Sequence, residues 1–105
     1  MKYLIAATLA LCFTTGANAA GDAAAGQGKA GGCAACHGTD GVGTGPTFPN
    51  LAGQKAEYLL AQLKAFKSGE RGGALSAIMA PNTLTLSEQD MADLAAYFSS
   101  LPAAN

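Results

Sequence analysis

The sequence contains no tryptophan and only one histidine, and 12% of its residues are charged. A formal net charge of −1 excludes the strongly basic surface that nucleic-acid binding requires. No run rich in β-branched residues could form a central strand, which argues against a sheet-based fold. No apolar run reaches the roughly 20 residues of a membrane span, so we expect no stable membrane insertion.

The N-terminal segment has the composition of a secretory signal. Lys2 supplies a positive charge, Tyr3 to Phe13 is apolar, and Ala17-Asn18-Ala19 matches the small-x-small cleavage pattern. We expect residues 1–19 to be cleaved and residues 20–105 to form one small domain in the periplasm.

A lipoprotein signal ending at Cys12 is the alternative for this segment. Leu11 stands where a small residue is expected before a lipidated cysteine, which disfavours that alternative. Cleavage after residue 19 would remove Cys12.

Cys33-Ala34-Ala35-Cys36-His37 is the motif on which the functional interpretation depends, because Cys-x-x-Cys-His is the attachment signature of c-type haem. Residues three apart on a helical turn point the same way, so Cys33 and Cys36 can each add a thiol to one haem vinyl group. His37 then supplies an imidazole nitrogen to the iron. The sequence therefore predicts haem c, an iron protoporphyrin attached through two thioethers.

Three other functions use paired cysteines. A thioredoxin-like motif needs a βαβ pattern, which the chain lacks. A zinc site needs about four ligands, and the mature chain has no Cys or His beyond Cys33, Cys36 and His37. A structural disulfide gives no reason for the histidine. A buried haem would also supply apolar volume that the chain lacks, because much of the apolar content is alanine and the expected core contains few large side chains.

Hydrophobic periodicity predicts an all-α fold of three main helices and two long loops. The helices are expected at 21–32, at 55–67 and from Ser87 to the residue before Pro102, and the loops at 38–53 and 69–86. Loops this long in so small a domain are usually functional.

Individual residues mark the ends of these helices. Asp22 is the expected N-cap of the first helix, and Gly31-Gly32 its expected end. Ser87 and Asp90 are expected to form a short capping box at the start of the last helix.

Haem iron that cycles electrons without binding small molecules needs a second axial ligand, and methionine is usual for a carrier. Met1 is lost with the signal, and Met91 lies on the apolar face of the last helix, where methionine is usually core filler. Met79 lies in the second loop, where a long chain excursion can bring it to the opposite face of the ring. We therefore expect His37 and Met79 to ligate the iron.

These residues resemble class I cytochromes c, in particular small bacterial periplasmic single-haem proteins and the half-domains of two-haem periplasmic cytochromes. The resemblance covers essentially the whole mature chain. It rests on Cys33 to Gly38, Pro49 to Gln54, Glu57-Tyr58-Leu59 with Gln62-Leu63, Met79, and Leu86 to Phe98. It implies the class I cytochrome c fold, with the helices and loops wrapped around one haem.

The resemblance also implies roles for residues beside the iron ligands. Pro49 matches a proline whose carbonyl accepts the Nδ1 proton of the haem histidine, here His37, with Pro46 as the alternative. Asn82 matches an asparagine that donates a hydrogen bond to the ligand sulfur, here of Met79. A polar turn residue is the alternative role for Asn82.

A helix crossing is implied as well. Gly26 and Ala30 on the first helix match a contact with Leu94 and Tyr97 on the last. Glycine weakens a helix interior, so Gly26 also suggests that another helix packs closely there. Gly28 is equally well explained by the tolerance of glycine near a frayed helix end.

The function expected from these features is that of a soluble periplasmic carrier cycling one electron between Fe(II) and Fe(III), and not an enzyme. Its partners would be other redox proteins, and the chain itself a monomer or weak dimer. A haem enzyme or gas sensor with an open iron site is one alternative, and a dedicated redox subunit of a larger oxidoreductase is another. The docking surface is expected to be mainly apolar, formed by Ala34, Ala35, Ala77, Ile78, Ala80 and Pro81.

Overall fold

The computed structural model describes residues 21–104, which form five α-helices and no strand. The all-α prediction is confirmed, and this part of the chain has two helices in addition to the three main ones predicted. None of these helices has the length and apolar character needed to cross a bilayer. The helices are α1 (Ala23–Lys29), α2 (Gly31–His37), α3 (Ala56–Ser68), α4 (Ser76–Thr83) and α5 (Glu88–Ser100). The predicted signal segment lies outside the described residues.

Side-chain caps begin α1 and α5, as the sequence predicts. The Asp22 carboxylate accepts hydrogen bonds from the backbone N–H groups of Ala24 and Ala25. The Ser87 hydroxyl accepts from the Asp90 N–H at 3.0 Å, and the Asp90 carboxylate accepts from the Ser87 N–H at 2.9 Å. These bonds satisfy backbone donors that a helix N-terminus leaves without a partner.

The first helix ends earlier than predicted. α1 stops at Lys29, and Ala30 is both the C-cap of α1 and the N-cap of α2. The N–H of Cys33 donates to the Ala30 carbonyl at 2.9 Å, which starts the new helix. The Gly31-Gly32 pair therefore opens α2 rather than closing α1, because glycines that weaken a helix interior are tolerated in a first turn.

The second predicted loop contains an unpredicted helix, α4, between residues 76 and 83. Pro81 lies inside it, although proline usually interrupts a helix. Side chains add hydrogen bonds along its last turns: Asn82 Nδ2 donates to the Ile78 carbonyl at 2.8 Å, and Thr83 Oγ1 to the Ala80 carbonyl at 2.7 Å. α4 is a short helix stabilised by these local bonds and by packing on α3.

α5 is the central helix, since both α1 and α3 pack against it. A Cβ atom at Gly26 would lie 2.0 Å from the Asp93 carbonyl oxygen and 2.8 Å from Tyr97 Cβ. Only glycine permits so close a crossing, and the predicted packing need at Gly26 is confirmed. Gly28 has no neighbour within 4 Å of such an atom. The buried core beside the crossing consists of Ala30, Leu59, Leu94, Ala95 and Phe98.

A cluster of charged and polar groups joins α1 to α5. Lys29 Nζ lies 2.6 Å from Asp93 Oδ2 and 2.8 Å from Asp90 Oδ1. Asp93, only 2% exposed, also accepts hydrogen bonds from the Asp22 backbone N–H and from Gln89 Nε2, each at 2.8 Å. The Asp22 N–H, Lys29 and Gln89 together lower the pKa of Asp93 to about 2.

Candidate functional site

A cavity of about 600 Å³ lies between α2, α3, α4 and the loop before α3. Its volume falls in the range of cofactor sites, and its wall is mostly apolar, as such sites usually are. The wall includes Cys33, Cys36 and His37 of α2, Phe48, Pro49 and Leu51 of the loop, Leu59, Leu63 and Phe66 of α3, Ile78 and Met79 of α4, and Leu94, Ala95 and Phe98 of α5.

α2 brings the three residues of the haem motif to the cavity wall. Cys33 and Cys36 lie one helical turn apart, and neither is in a disulfide. Burial raises the pKa of the Cys33 thiol, which favours the neutral thiol. His37 is the last residue of α2 and is 5% exposed. Two thiols and an imidazole on one wall of an apolar cavity fit a covalently attached haem.

His37 is held by a hydrogen bond to the Pro49 carbonyl, with Nδ1 2.8 Å from the oxygen. A carbonyl can only accept, so Nδ1 carries the proton and Nε2 keeps a lone pair for a metal. The structure thus has the bond to Pro49, whereas Pro46 lines the cavity without making it.

Gly38 makes the turn that follows His37. Its φ is 80°, a left-handed value that favours glycine, and a Cβ atom there would lie 2.2 Å from the Val42 carbonyl oxygen. The turn sends the chain into the loop that returns to His37 at Pro49. The predicted absence of regular structure from 38 to 53 is confirmed.

Of the two methionines in the described residues, Met79 lines the cavity and Met91 does not. Met91 is 2% exposed within α5, which agrees with a role in core packing. The assignment of Met79 as iron ligand is compatible with this placement and is taken up below.

Asn82 also lines the cavity, but its amide donates to the Ile78 carbonyl on the same helix. The predicted hydrogen bond from Asn82 to the sulfur of Met79 is not among those formed by the described residues. An amide has a second N–H, so that bond stays a prediction.

Arg71 and Leu75 are cavity residues that the sequence interpretation missed. Both residues are exposed as well as lining the cavity, and the sequence pattern gave neither of them a role in the site. Gly69, with a φ of 80°, reverses the chain after α3 and brings Arg71 back beside Phe66. A glycine just after a helix was the only signal for this reversal.

Comparison with known proteins agrees with the site. The family model described as "Cytochrome c" matches residues 19–102. Cytochrome c-554(548) of Halomonas halodenitrificans is 56% identical over 77% of this chain and 98% of its own length. Cytochrome c4 of Azotobacter vinelandii is 50% identical over 94% of this chain but only 50% of its own length, so the chain spans half of that relative.

A solved structure extends the comparison. The thiosulfate dehydrogenase TsdBA of Marichromatium purpuratum aligns with a TM-score of 0.72 and 42% identity, over 78% of this chain and 20% of that one. Fold, motif and relatives therefore agree. The chain belongs to the cytochrome c family, electron-transfer proteins with a covalently attached haem.

Proposed function

We propose that the chain is a periplasmic electron carrier whose haem lies in the cavity with His37 and Met79 as iron ligands. The observation that carries this proposal is the convergence of Cys33, Cys36, His37 and Met79 on one apolar cavity. When bound there, haem supplies one-electron chemistry at its iron, Fe(III) accepting an electron and Fe(II) returning it. No bond to a substrate forms or breaks.

The residues of the chain tune this chemistry in three ways. The Pro49 carbonyl fixes the His37 ring and directs Nε2 to the metal. Met79 lines the same cavity, and its thioether would bind the iron, favour Fe(II) and exclude small molecules from it. The apolar wall excludes water and disfavours the extra positive charge of Fe(III). Together these effects support a potential toward the positive end of the haem range.

The partners proposed for this carrier are other redox proteins that dock where the cavity meets solvent. Leu75 and Ile78 both line the cavity and are 53% and 50% exposed. Ala35, Ala77 and Pro81 are exposed too, which supports the apolar docking surface expected from the sequence. A small apolar surface suits a short-lived contact between redox proteins.

A second candidate function is that of a redox subunit in a larger oxidoreductase. The alignment with part of the thiosulfate dehydrogenase TsdBA favours it. A carrier without catalytic activity is not reduced when the oxidised, haem-loaded chain is mixed with thiosulfate alone. Direct reduction under those conditions would show enzyme activity.

The periplasmic location follows from the proposed signal in residues 1–19. Expression of the full chain in a bacterium that matures c-type cytochromes, followed by fractionation, tests it. We expect haem-containing protein in the periplasm, with a mass that corresponds to cleavage before Ala20. An uncleaved product or a lipid-modified Cys12 would contradict this location.

A visible spectrum of the purified protein tests the haem assignment itself. We expect the split bands of a six-coordinate, low-spin c-type haem on reduction. Denaturation should leave the haem on the chain, because thioethers survive unfolding. A spectrum of high-spin iron, or haem that is extracted on denaturation, would contradict the proposed site.

A further inference from the structure

Thr83, the last residue of α4, is the most deeply buried polar side chain among the described residues, with 0% of its surface exposed. The other buried polar side chains are His37, in the haem motif, and Asp93, in the charged cluster between α1 and α5. Thr83 does not line the cavity, so its hydroxyl is not placed to contact a haem there. Burying a hydroxyl is costly unless it forms a hydrogen bond, which makes the partner of this hydroxyl informative.

The Thr83 hydroxyl bonds to the backbone beside Met79. Its Oγ1 donates to the Ala80 carbonyl at 2.7 Å, and Ala80 directly follows Met79 in the chain. On the other side of Met79, the Ile78 carbonyl accepts from Asn82 Nδ2 at 2.8 Å. The backbone carbonyls on both sides of Met79 are therefore held by side chains from the end of α4.

α4 needs such bonds because its backbone alone gives it little stability. It has eight residues, and isolated helices so short are marginal in water. Pro81 has no N–H, so the Ala77 carbonyl lacks its usual intrahelical donor. The N-cap residue, Leu75, forms no side-chain capping bond. We therefore expect α4 to open more readily than the buried helix α5.

We propose that Thr83 is a positioning residue for Met79, and that its hydroxyl keeps α4 folded with Met79 at the cavity. This proposal rests on the proposed function, in which Met79 binds the iron. When α4 opens, Met79 leaves the iron and the bond from Thr83 to the Ala80 carbonyl is lost to water. A chain without the hydroxyl should therefore open more often, because only the folded helix contains that buried hydrogen bond.

The experiment measures the rate of carbon monoxide binding to the reduced, haem-loaded protein at limiting carbon monoxide. Under these conditions the rate is proportional to the fraction of molecules in which Met79 has left the iron. T83V keeps the shape of threonine without its hydroxyl and should bind carbon monoxide roughly five- to tenfold faster than wild type. T83S and T83A form a second pair that differs by the hydroxyl alone, and T83A should be the faster of the two.

S99A is the matched control. Ser99 Oγ donates to the Ala96 carbonyl at 2.9 Å, a bond of the same spacing along α5, and neither residue lines the cavity. S99A should bind carbon monoxide at the wild-type rate even where its free energy of unfolding falls. An acceleration by S99A equal to that of T83V would contradict the proposal, since any lost hydroxyl would then have the same effect.

The double variant M79A/T83V tests whether Thr83 acts through Met79. It should bind carbon monoxide at the rate of M79A, because the ligand that Thr83 positions is gone. An acceleration by T83V that persists without Met79 would show that Thr83 controls access to the cavity instead, and would overturn the proposal.

Equal rates for T83V and wild type would also overturn the proposal. If T83V does not retain haem, T83S and T83A decide, and equal rates for those two variants would overturn it. Failure of the proposed function gives a different result, because wild type and M79A would then bind carbon monoxide equally fast. That result would overturn this proposal as well, since Met79 would not be a ligand to position.

Discussion

Lys29 Nζ and Asp93 Oδ2 lie 2.6 Å apart and join the first helix to the last beside the crossing at Gly26. Asp93 is almost fully buried, so its charge depends on Lys29 and on the N–H donors around it. Replacing one partner of a buried pair leaves the other uncompensated. This cluster should therefore determine how the stability of the haem-loaded protein changes with pH.

We first predict that the free energy of unfolding falls as the pH drops from about 4 to about 2. Hydrogen bonding lowers the pKa of Asp93 from 3.8 to about 2 in the folded state. Its contribution to stability is therefore fully present above the unfolded-state pKa of 3.8, and it is lost as the pH falls through the folded-state pKa of about 2. Lys29 beside Asp90, and the Ser87 cap, lower the pKa of Asp90 to about 2 as well. Denaturant unfolding at each pH measures the slope.

The control for this prediction is a pair of variants. D93N should flatten the acid slope and lower stability at neutral pH, whereas E57Q, at an exposed residue outside the cluster, should follow wild type. At the alkaline end the sign reverses. Asp90 and Asp93 raise the pKa of Lys29 above 10.5, so its contribution should be lost only above that pH. A wild-type acid slope in D93N would disprove the role of the cluster.

Our second prediction concerns two glycines of α1. G26A should destabilise the protein by about 1–3 kcal/mol, because its methyl group overlaps the Asp93 carbonyl and must push α1 away from α5. G28A should stabilise it by up to about 1 kcal/mol, since nothing lies near its new methyl group and alanine favours a helix. Thermal unfolding of both variants measures the difference. Equal effects at the two positions would mean that the crossing is looser than described.

A third prediction is that folding depends on haem. The buried core consists of few large side chains, and a chain without haem would have to leave a cavity of about 600 Å³ beside Leu59, Leu94 and Phe98 unfilled. Replacing both Cys33 and Cys36 with alanine should yield little folded protein. Circular dichroism would refute this if a haem-free variant unfolded cooperatively with native helix content.

A fourth prediction concerns association with redox partners. Leu75 and Ile78 at the cavity rim are exposed and belong to a segment, residues 72–87, that contains no charged residue, and Lys29 is paired with Asp90 and Asp93. Long-range steering needs a charged patch, so the second-order rate of electron transfer should depend only modestly on salt. A fall of roughly a hundredfold between low and physiological ionic strength would show steering instead.

Sequence patterns predicted the features that local chemistry determines. The caps at Asp22 and Ser87 were found because a short polar side chain before an apolar run satisfies free N–H groups. The haem motif was found because its spacing is dictated by the cofactor. The close approach at Gly26 could be anticipated because glycine in a helix needs a reason.

Features that depend on tertiary structure were not predicted. α4 was missed because proline usually interrupts a helix, and Pro81 lies inside this one. Only the structure shows that packing on α3 and side-chain hydrogen bonds stabilise the helix around Pro81. The boundary at Ala30 was missed because the glycines beside it signal an end as readily as a start. Arg71 was not expected at the cavity, because its place there follows from a chain reversal at Gly69.

The assignment of Met79 as the sixth ligand is the central claim, since it separates a carrier from a haem enzyme or gas sensor. Met79→Ala should open the iron and lower the potential, because the thioether both fills the site and favours Fe(II). Met91→Leu is the matched control, a change of similar volume in the buried core that should leave both properties nearly unaltered.

Carbon monoxide binding to the reduced protein tests this claim most directly. The spectrum of wild type and of Met91→Leu should be almost unchanged by carbon monoxide, whereas that of Met79→Ala should convert at once to the bound form. If wild type binds carbon monoxide as readily as Met79→Ala does, the iron is already open, and Met79 is not its ligand.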